Sequence, residues 1–468
     1  MEKLDNSEIS YIAEEYDDFD DECFYYNEEN SEEFLSYVNA YKNGQVIGKI
    51  ITYISSDLKM LKIPADVVDI KINKYLCKSI TSIIVDPNNK VYDSRGNCNA
   101  IIETATNSLY LGCCNTIIPD SVTEIQECAF CSKNDLTNVT IPKSVTKIGE
   151  GAFYACPDLE SIIVDPYNLF YDSRDNCNAI IETATNTLID GCKNTVIIDG
   201  VVSIAGKALS SCCDLKTIRI PASVTNIERN ALKWDSNIRK IIVDPNNKVY
   251  DSRENCNAII ETATNKLIRG CKNTIIPNTV LCIGSGAFSS CHGLKEILIP
   301  SSVTVIEDYA FTGCKKLRSI IIPENVKMLG KSVFERCEGL ISAILPNSLT
   351  TIENFSFAFC KRLAAVVIPG NVTNIKYSAF SGCGNIVSVI ISDGVTEIGD
   401  GAFDYCYNLT YISLPRSLEF ISLDAFDCCY NLKKVDIDKD NVVYGINDEG
   451  NALIRKSDNH IICRININ

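Results

Sequence analysis

The sequence predicts a repeat solenoid, an elongated coil of short parallel strands whose core grows with copy number instead of radius. Three observations predict it. Apolar positions recur every 23 residues in the C-terminal half, a longer segment recurs almost verbatim every 79 residues, and many of the 24 cysteines obey the same frame.

The 23-residue unit comes first. Cys291, Cys314, Cys337, Cys360, Cys383, Cys406 and Cys429 keep this step, as do Phe288, Phe311, Phe334, Phe357, Phe380, Phe403 and Phe426. Alanine precedes most of these phenylalanines, with Val333 and Ser356 at the two exceptions, and Pro300, Pro323, Pro346, Pro369 and Pro415 mark the unit again. The clearest copy is "LKEILIPSSVTVIEDYAFTGCKK". Its "LKEILI" alternates like a short strand with one face inward, and Pro ends the strand because it cannot donate to a ladder. "SVTVI" reads as a second short strand. "AFTGC" turns the chain, with Ala letting backbones approach and Phe filling the interior. One such unit cannot cover its own apolar face, so units must stack.

The 79-residue spacing is two such units plus one of 33 residues. The long unit contains "VYDSRGNCNAIIETATNSLYLGC" from Val91, with counterparts from Phe170 and Val249. Two alternating runs flank "TATN", which predicts a β-hairpin projecting from the solenoid, and "YDSR" before it is turn chemistry. A worn fourth copy starts at Val443 and is expected to cap an otherwise open strand edge. "VIGKIITYISSDL", residues 46–58, reads as a degraded unit at the other end. The expected organisation is an acidic leader or cap over 1–44, a solenoid over 45–435 with hairpin units near 86–116, 165–195 and 244–274, and a capping hairpin over 436–468.

The repeat resembles the BspA-like (Treponema pallidum type) class of leucine-rich repeats, because period, Pro, Ala-Phe and Cys agree over roughly residues 45 to 468. The resemblance implies a curved solenoid with a parallel sheet on the concave side. It also implies a protein-binding role, often as an exported surface adhesin.

Charge narrows the partners. The formal net charge is −16, and residues 1–33 contribute −13 of it through fourteen acidic residues against one lysine. The remaining body has no basic stripe to follow a phosphate backbone, so nucleic acid is not the expected partner. The start lacks a secretory signal and no apolar run is long enough to insert in a membrane, so the chain as written reads as intracellular, against the surface location that the resemblance implies.

Cysteines pose a separate question. Cys98 with Cys113, Cys177 with Cys192 and Cys256 with Cys271 sit symmetrically about the hairpin loops, and the fourth copy has Gly450 and Ile465 in their places. Three readings fit: small buried residues, cross-strand disulfides, or a metal pair. The 23-residue cysteine ladder reads as an internal column of inert small groups. "CAFC" at Cys128 to Cys131 looks like a thiol motif, yet its Ala129 and Phe130 are the repeat's own core residues.

No catalytic constellation is visible. His292 and His460 are the only histidines, and the ladder should turn Cys291 inward and His292 outward. No P-loop, dinucleotide fingerprint or zinc spacing implies a cofactor, and "DSRDNCN" lacks the glycine and distant Glu of a calcium loop. The chain is therefore not expected to be an enzyme.

Function is expected in a surface. Beside the inward Leu294, Ile297 and Ile299, the position of Leu298 faces outward. Followed through the units it holds Ile242, Ile275, Leu298, Ile321, Ile344, Val367 and Ile390, an aliphatic column ~29 Å long at ~4.8 Å per rung. Small or polar neighbours at Glu296, Ser319, Ser342, Ala365 and Ser388 leave it open. It stops at Ser413 and Asp436, with Tyr411 and Lys434 alongside, and toward the N-terminus it is mixed, with Ile163 and Val196 but also Thr140 and Arg219. Strand propensity alone would also fill such positions with β-branched residues. The functional alternatives are a docking groove for a protein segment and self-association. From these residues we expect non-catalytic protein recognition along Ile242–Tyr411, as an adhesin or as an intracellular scaffold regulated by its acidic leader.

Overall fold

The structure, a computed structural model, describes residues 35–42, 45–210, 212, 215–232 and 238–466. It is a β-solenoid of about 17 turns with a spacing of about 23 residues. Most regular turns contribute a strand of three or four residues to one wall and a two-residue strand to another. In the first wall Ser319–Ile321 pairs in parallel with Ser342–Ile344, and Ala365–Ile368, Ser388–Ile391, Tyr411–Leu414 and Lys434–Ile437 form a four-stranded ladder. Register advances by one repeat per rung, as Ile390 opposite Val367 illustrates. Equivalent side chains therefore stand above one another.

The core follows from this stacking. Phe288, Phe311, Phe334, Phe357, Phe380, Phe403 and Phe426 stack ring on ring at centroid spacings of 5.0–5.7 Å. The cysteine ladder lies beside them, buried from Cys291 to Cys429. It is more than filler, because each thiol from Cys314 onward donates to the Phe carbonyl one unit before it; Cys360 Sγ reaches Phe334 O at 3.2 Å. The Ala-Phe turns bond in the opposite direction, with Phe334 N–H donating to Ser356 O at 2.8 Å.

The long units depart from expectation. Their hairpins do not project but form part of the wall. Ala100–Glu103 pairs antiparallel with Ser108–Gly112, which then pairs in parallel with Glu124–Ile125 of the next unit. Ala100, Ile102 and Leu109 are fully buried. The glycine closing each hairpin has a steric reason. A Cβ on Gly112 or Gly270 would sit about 2 Å from the ring of Phe130 or Phe288, at 2.1 and 2.2 Å respectively, so the hairpin gives way to the next unit's phenylalanine.

Turn chemistry in these units centres on one buried asparagine in each. Asn247 donates from Nδ2 to Pro221 O and Val224 O at 2.7 and 2.9 Å, and its Oδ1 accepts from Val249 and Tyr250 N–H. Asn89, Asn168 and Asn441 repeat the arrangement. The arginine of "DSR" clamps the loop. Arg95 pairs with Asp93 at 2.6 Å and reaches Asn107 Oδ1 at 2.7 Å, and Arg253 does the same with Asp251 and Asn265. In the second hairpin, the one with "DSRDNCN", Arg174 engages Asp172 in the same way at 2.9 Å.

At the N-terminal end, Leu35–Lys42 and Gln45–Ile54 form an antiparallel hairpin, and Gln45–Ile54 also pairs in parallel with Val67–Ile70. Residues 35–42, within the segment expected to be an acidic leader or cap, are therefore a strand, and residues 1–34 lie outside those described. At the other end Tyr444–Ile446, Ala452–Arg455 and His460–Arg464 form a three-stranded antiparallel sheet. Among the described residues no helix is long and apolar enough to cross a membrane.

Candidate functional site

Alternation in the first wall decides which side chains reach solvent. Ile320, Val366 and Val389 are buried, whereas their neighbours Ile321, Val367 and Ile390 are exposed. The outward column runs from Ile275 and Leu298 through Ile344 to Ile390, with exposure from 82 % at Leu298 to 44 % at Ile390. Ile242, its N-terminal member, is only half-exposed. Leu298 and Ile275 stand where the backbone leaves the strand ladder, and they are the most exposed of the set. The Ile275 rung is held by its own hairpin. Ile275 N–H donates to Cys256 O at 3.1 Å, and Thr274 Oγ1 donates to Asn257 O at 2.7 Å.

The C-terminal limit of the column is a polar clamp. Tyr411 is half-buried; its hydroxyl donates to Asp436 Oδ2 at 3.2 Å, and Lys434 Nζ lies 5.5 Å from its ring centroid. Toward the N-terminus Arg219 interrupts the aliphatic run and pairs with Asp244 at 3.5 Å. Sequence reasoning missed two further members. Ile84 and Ile117 occupy the same outward position, at 47 % and 77 % exposure; a 23-residue step back from Thr140 reaches Ile117, and the 33-residue step of the hairpin unit then reaches Ile84.

The hairpin cysteines are placed differently from the symmetric spacing. All six are free, and the members of each pair join different core clusters: Cys98 one with Phe130, Cys113 one with Ile83 and Ile101. A β-bulge is the cause. Near the loop Ile102 faces Leu109, but one step further Ile101 faces Leu111. That one-residue slip turns the strand over, so Cys113 Sγ lies 3.4 Å from Asn99 O instead of opposite Cys98. The second and third hairpins slip at the same place, between Ile180 and Ile181 and between Ile259 and Ile260.

Among the described residues no group of three or more His, Cys, Asp or Glu could hold a metal ion. Cys291 is buried in the ladder, while His292 and His460 are exposed.

Buried charges mark places where the repeat is irregular. Lys133, in the ladder position, is fully buried and donates from Nζ to Cys77 O at 2.7 Å. Asp190 accepts from the N–H groups of Phe153 and Gly191, both at 3.0 Å, and burial pushes its carboxyl up to about 7. Phe153 needs that acceptor because the next unit is a hairpin without the Ala-Phe turn that serves Phe334 and its equivalents.

Comparison with known proteins agrees with the geometry. The family described as BspA type Leucine rich repeat region (6 copies) matches residues 106–189, 176–268, 258–387 and 327–447. A leucine-rich repeat protein from Eubacterium ventriosum is similar in structure, with 25% identity, a TM-score of 0.54, and coverage of 71% of this chain and 87% of that one. A leucine rich cell surface protein from Faecalibacterium prausnitzii gives 20% identity and a TM-score of 0.39, covering 87% of this chain and 94% of that one. The Treponema pallidum leucine rich repeat protein gives 24% and 0.25, over 52% and 90%. No curated protein sequence matches. With the family matches joining end to end from residue 106 to 447, on a solenoid of the period described above, the chain belongs to the BspA-type leucine-rich repeat family.

Proposed function

We propose that this chain is a non-catalytic recognition solenoid of the adhesin kind, which binds a protein partner along the outward column of its first wall. The carrying observation is the run of six consecutive exposed aliphatic groups, Ile275, Leu298, Ile321, Ile344, Val367 and Ile390. Contiguous apolar surface of this kind commonly marks a contact site. Ile242 and Tyr411 bound it. Membership of a repeat family associated with protein interaction supports the reading.

The test selects binders from a displayed library of secreted and surface proteins, then repeats the measurement with Ile321→Asp/Ile344→Asp. Binding should fall at least tenfold while circular dichroism stays unchanged, and hydrogen-exchange protection should map to the column. Binders unaffected by the double variant and protecting another face would remove this surface. The second reading is an intracellular scaffold, favoured by the −13 charge of residues 1–33, which would engage a basic partner. Protease treatment of intact cells separates the two, since a surface protein is digested and an internal one is spared.

A further inference from the structure

Every regular unit closes its Ala-Phe turn in the same way. The residue two after Ala donates its N–H to the residue before Ala, as Thr312 does to Tyr309 at 3.1 Å and Ser381 to Ser378 at 3.1 Å. The scaffold thus brings these two positions together whatever they are. At residues 128–131 both are cysteine, and Cys131 N–H donates to Cys128 O at 3.2 Å. Cys128 and Cys131 form a small cluster with Tyr154, apart from the main core.

Their surroundings differ from those of the ladder thiols. The Cys128 thiol donates to the Tyr75 hydroxyl at 3.2 Å. Beside them Lys74 Nζ donates to Glu127 O at 2.9 Å and lies 4.2 Å from the Tyr110 ring centroid. Once Cys128 ionises, the Cys131 thiol and the Tyr75 hydroxyl donate to the thiolate instead, which holds Cys128 below the ordinary thiol range against the opposing effect of burial. Burial instead raises Cys314, Cys360 and Cys406 well above it. Cys128 is 9 % exposed and Cys131 is fully buried, which admits a small oxidant to the first and not the second.

We propose that Cys128 and Cys131 are a redox-active dithiol, with Cys128 the attacking thiolate, Cys131 the resolving thiol, and hydrogen peroxide the oxidant. The Cys128 thiolate attacks one peroxide oxygen; the O–O bond breaks, a sulfenic acid forms, and hydroxide leaves and is protonated to water. Cys131 then loses its proton and attacks the Cys128 sulfur. An S–S bond forms, the S–O bond breaks, and a second water leaves. Two thiols are oxidised and one peroxide is reduced. The step removes the donation from Cys128 to Tyr75, which with Lys74–Glu127 and Lys133–Cys77 holds residues 74–77 to residues 127–133.

The whole protein is treated with stoichiometric hydrogen peroxide, alkylated, and cleaved after Glu127 and Lys133, which releases "CAFCSK". The expected result is a two-dalton loss in this peptide, reversed by dithiothreitol, with the ladder cysteines alkylated only after unfolding. Cys131→Ser should stop at a sulfenic acid on Cys128 that dimedone traps. Tyr75→Phe should raise the pH midpoint of Cys128 alkylation, a shift that a merely structural role would not produce. A peptide that stays fully reduced while other thiols oxidise, or a Cys128 alkylated no faster than Cys314 in the folded protein, would overturn the proposal.

Discussion

Asp190 offers the sharpest test of how the repeat tolerates its irregular units. Its carboxyl is buried, accepts two backbone N–H groups at 3.0 Å, and is pushed from 3.8 up to about 7, with burial as the dominant cause. The folded protein therefore binds a proton more tightly here than the unfolded chain does. Stability from this group is fully present below about pH 4 and is lost as pH rises toward 7, because only the folded state resists ionisation. A gap of about three units corresponds to ~4 kcal/mol at ~1.4 kcal/mol per unit. Asp190→Asn keeps an acceptor for Phe153 N–H and removes the titration. Urea unfolding of both proteins from pH 4 to 9, followed by circular dichroism and by hydrogen exchange over residues 150–192, should show the wild type losing several kcal/mol relative to the variant between pH 4 and 7. Above pH 7 the difference should level off. A wild-type-minus-variant difference that is flat across the range would refute the assignment of a buried, titrating carboxyl.

Three other perturbations follow from the same geometry. Asn247→Ala removes four hydrogen bonds to buried backbone groups, so it should cost ~3–5 kcal/mol in urea unfolding; Asn247→Asp, which loses the two donors, should also destabilise. Gly270→Val drives side-chain atoms into the Phe288 ring and should cost ~1–3 kcal/mol, with Gly270→Val/Phe288→Ala less damaging than the sum of the two single changes. Amide exchange should be faster between residues 130 and 232 than between 287 and 430, because Leu209 and Leu232 stand where the C-terminal tract has stacked phenylalanines; slower exchange there would contradict the packing argument.

Columns were legible because period fixes them. Residues 23 apart share a register, so Phe and Cys had to stack inward, and Leu298, Ile321 and Ile344 had to face away once alternation was granted. Single-residue events were not legible. The bulge after Ile101 adds nothing to composition or spacing, yet it separates Cys98 from Cys113. Gly112 has no side chain because its hydrogen atom must admit the Phe130 ring, a constraint that spacing does not display. Asn89, Asn168, Asn247 and Asn441 recur as visibly as any cysteine, but only the fold shows that each reaches backbone one unit away. Lys133 broke the ladder in sequence; Cys77 O, 56 residues earlier, is the partner that lets it stay buried.

The two halves of the solenoid divide the work between them. From Phe288 to Phe426 no hairpin interrupts the units, and rings at 5.0–5.7 Å set a constant pitch inside the coil. A constant inner pitch imposes a constant outer one, so the outward groups from Leu298 to Ile390 are evenly spaced, and the aliphatic run ends at Ser413 while the rings stack on to Phe426. In the N-terminal modules the described part of the phenylalanine column holds one stacked pair, Phe130 with Phe153, and the outward position passes through Thr140 and Arg219. There side-chain hydrogen bonds from Asn168 in one module and Asn247 in the next tie each long unit to the one before it, while Arg174 and Arg253 brace the hairpins within their units. Such bonds hold a long unit in register without requiring an even pitch. The repeat every 79 residues thus builds length and cross-bracing, and the uninterrupted 23-residue tract builds the evenly spaced surface.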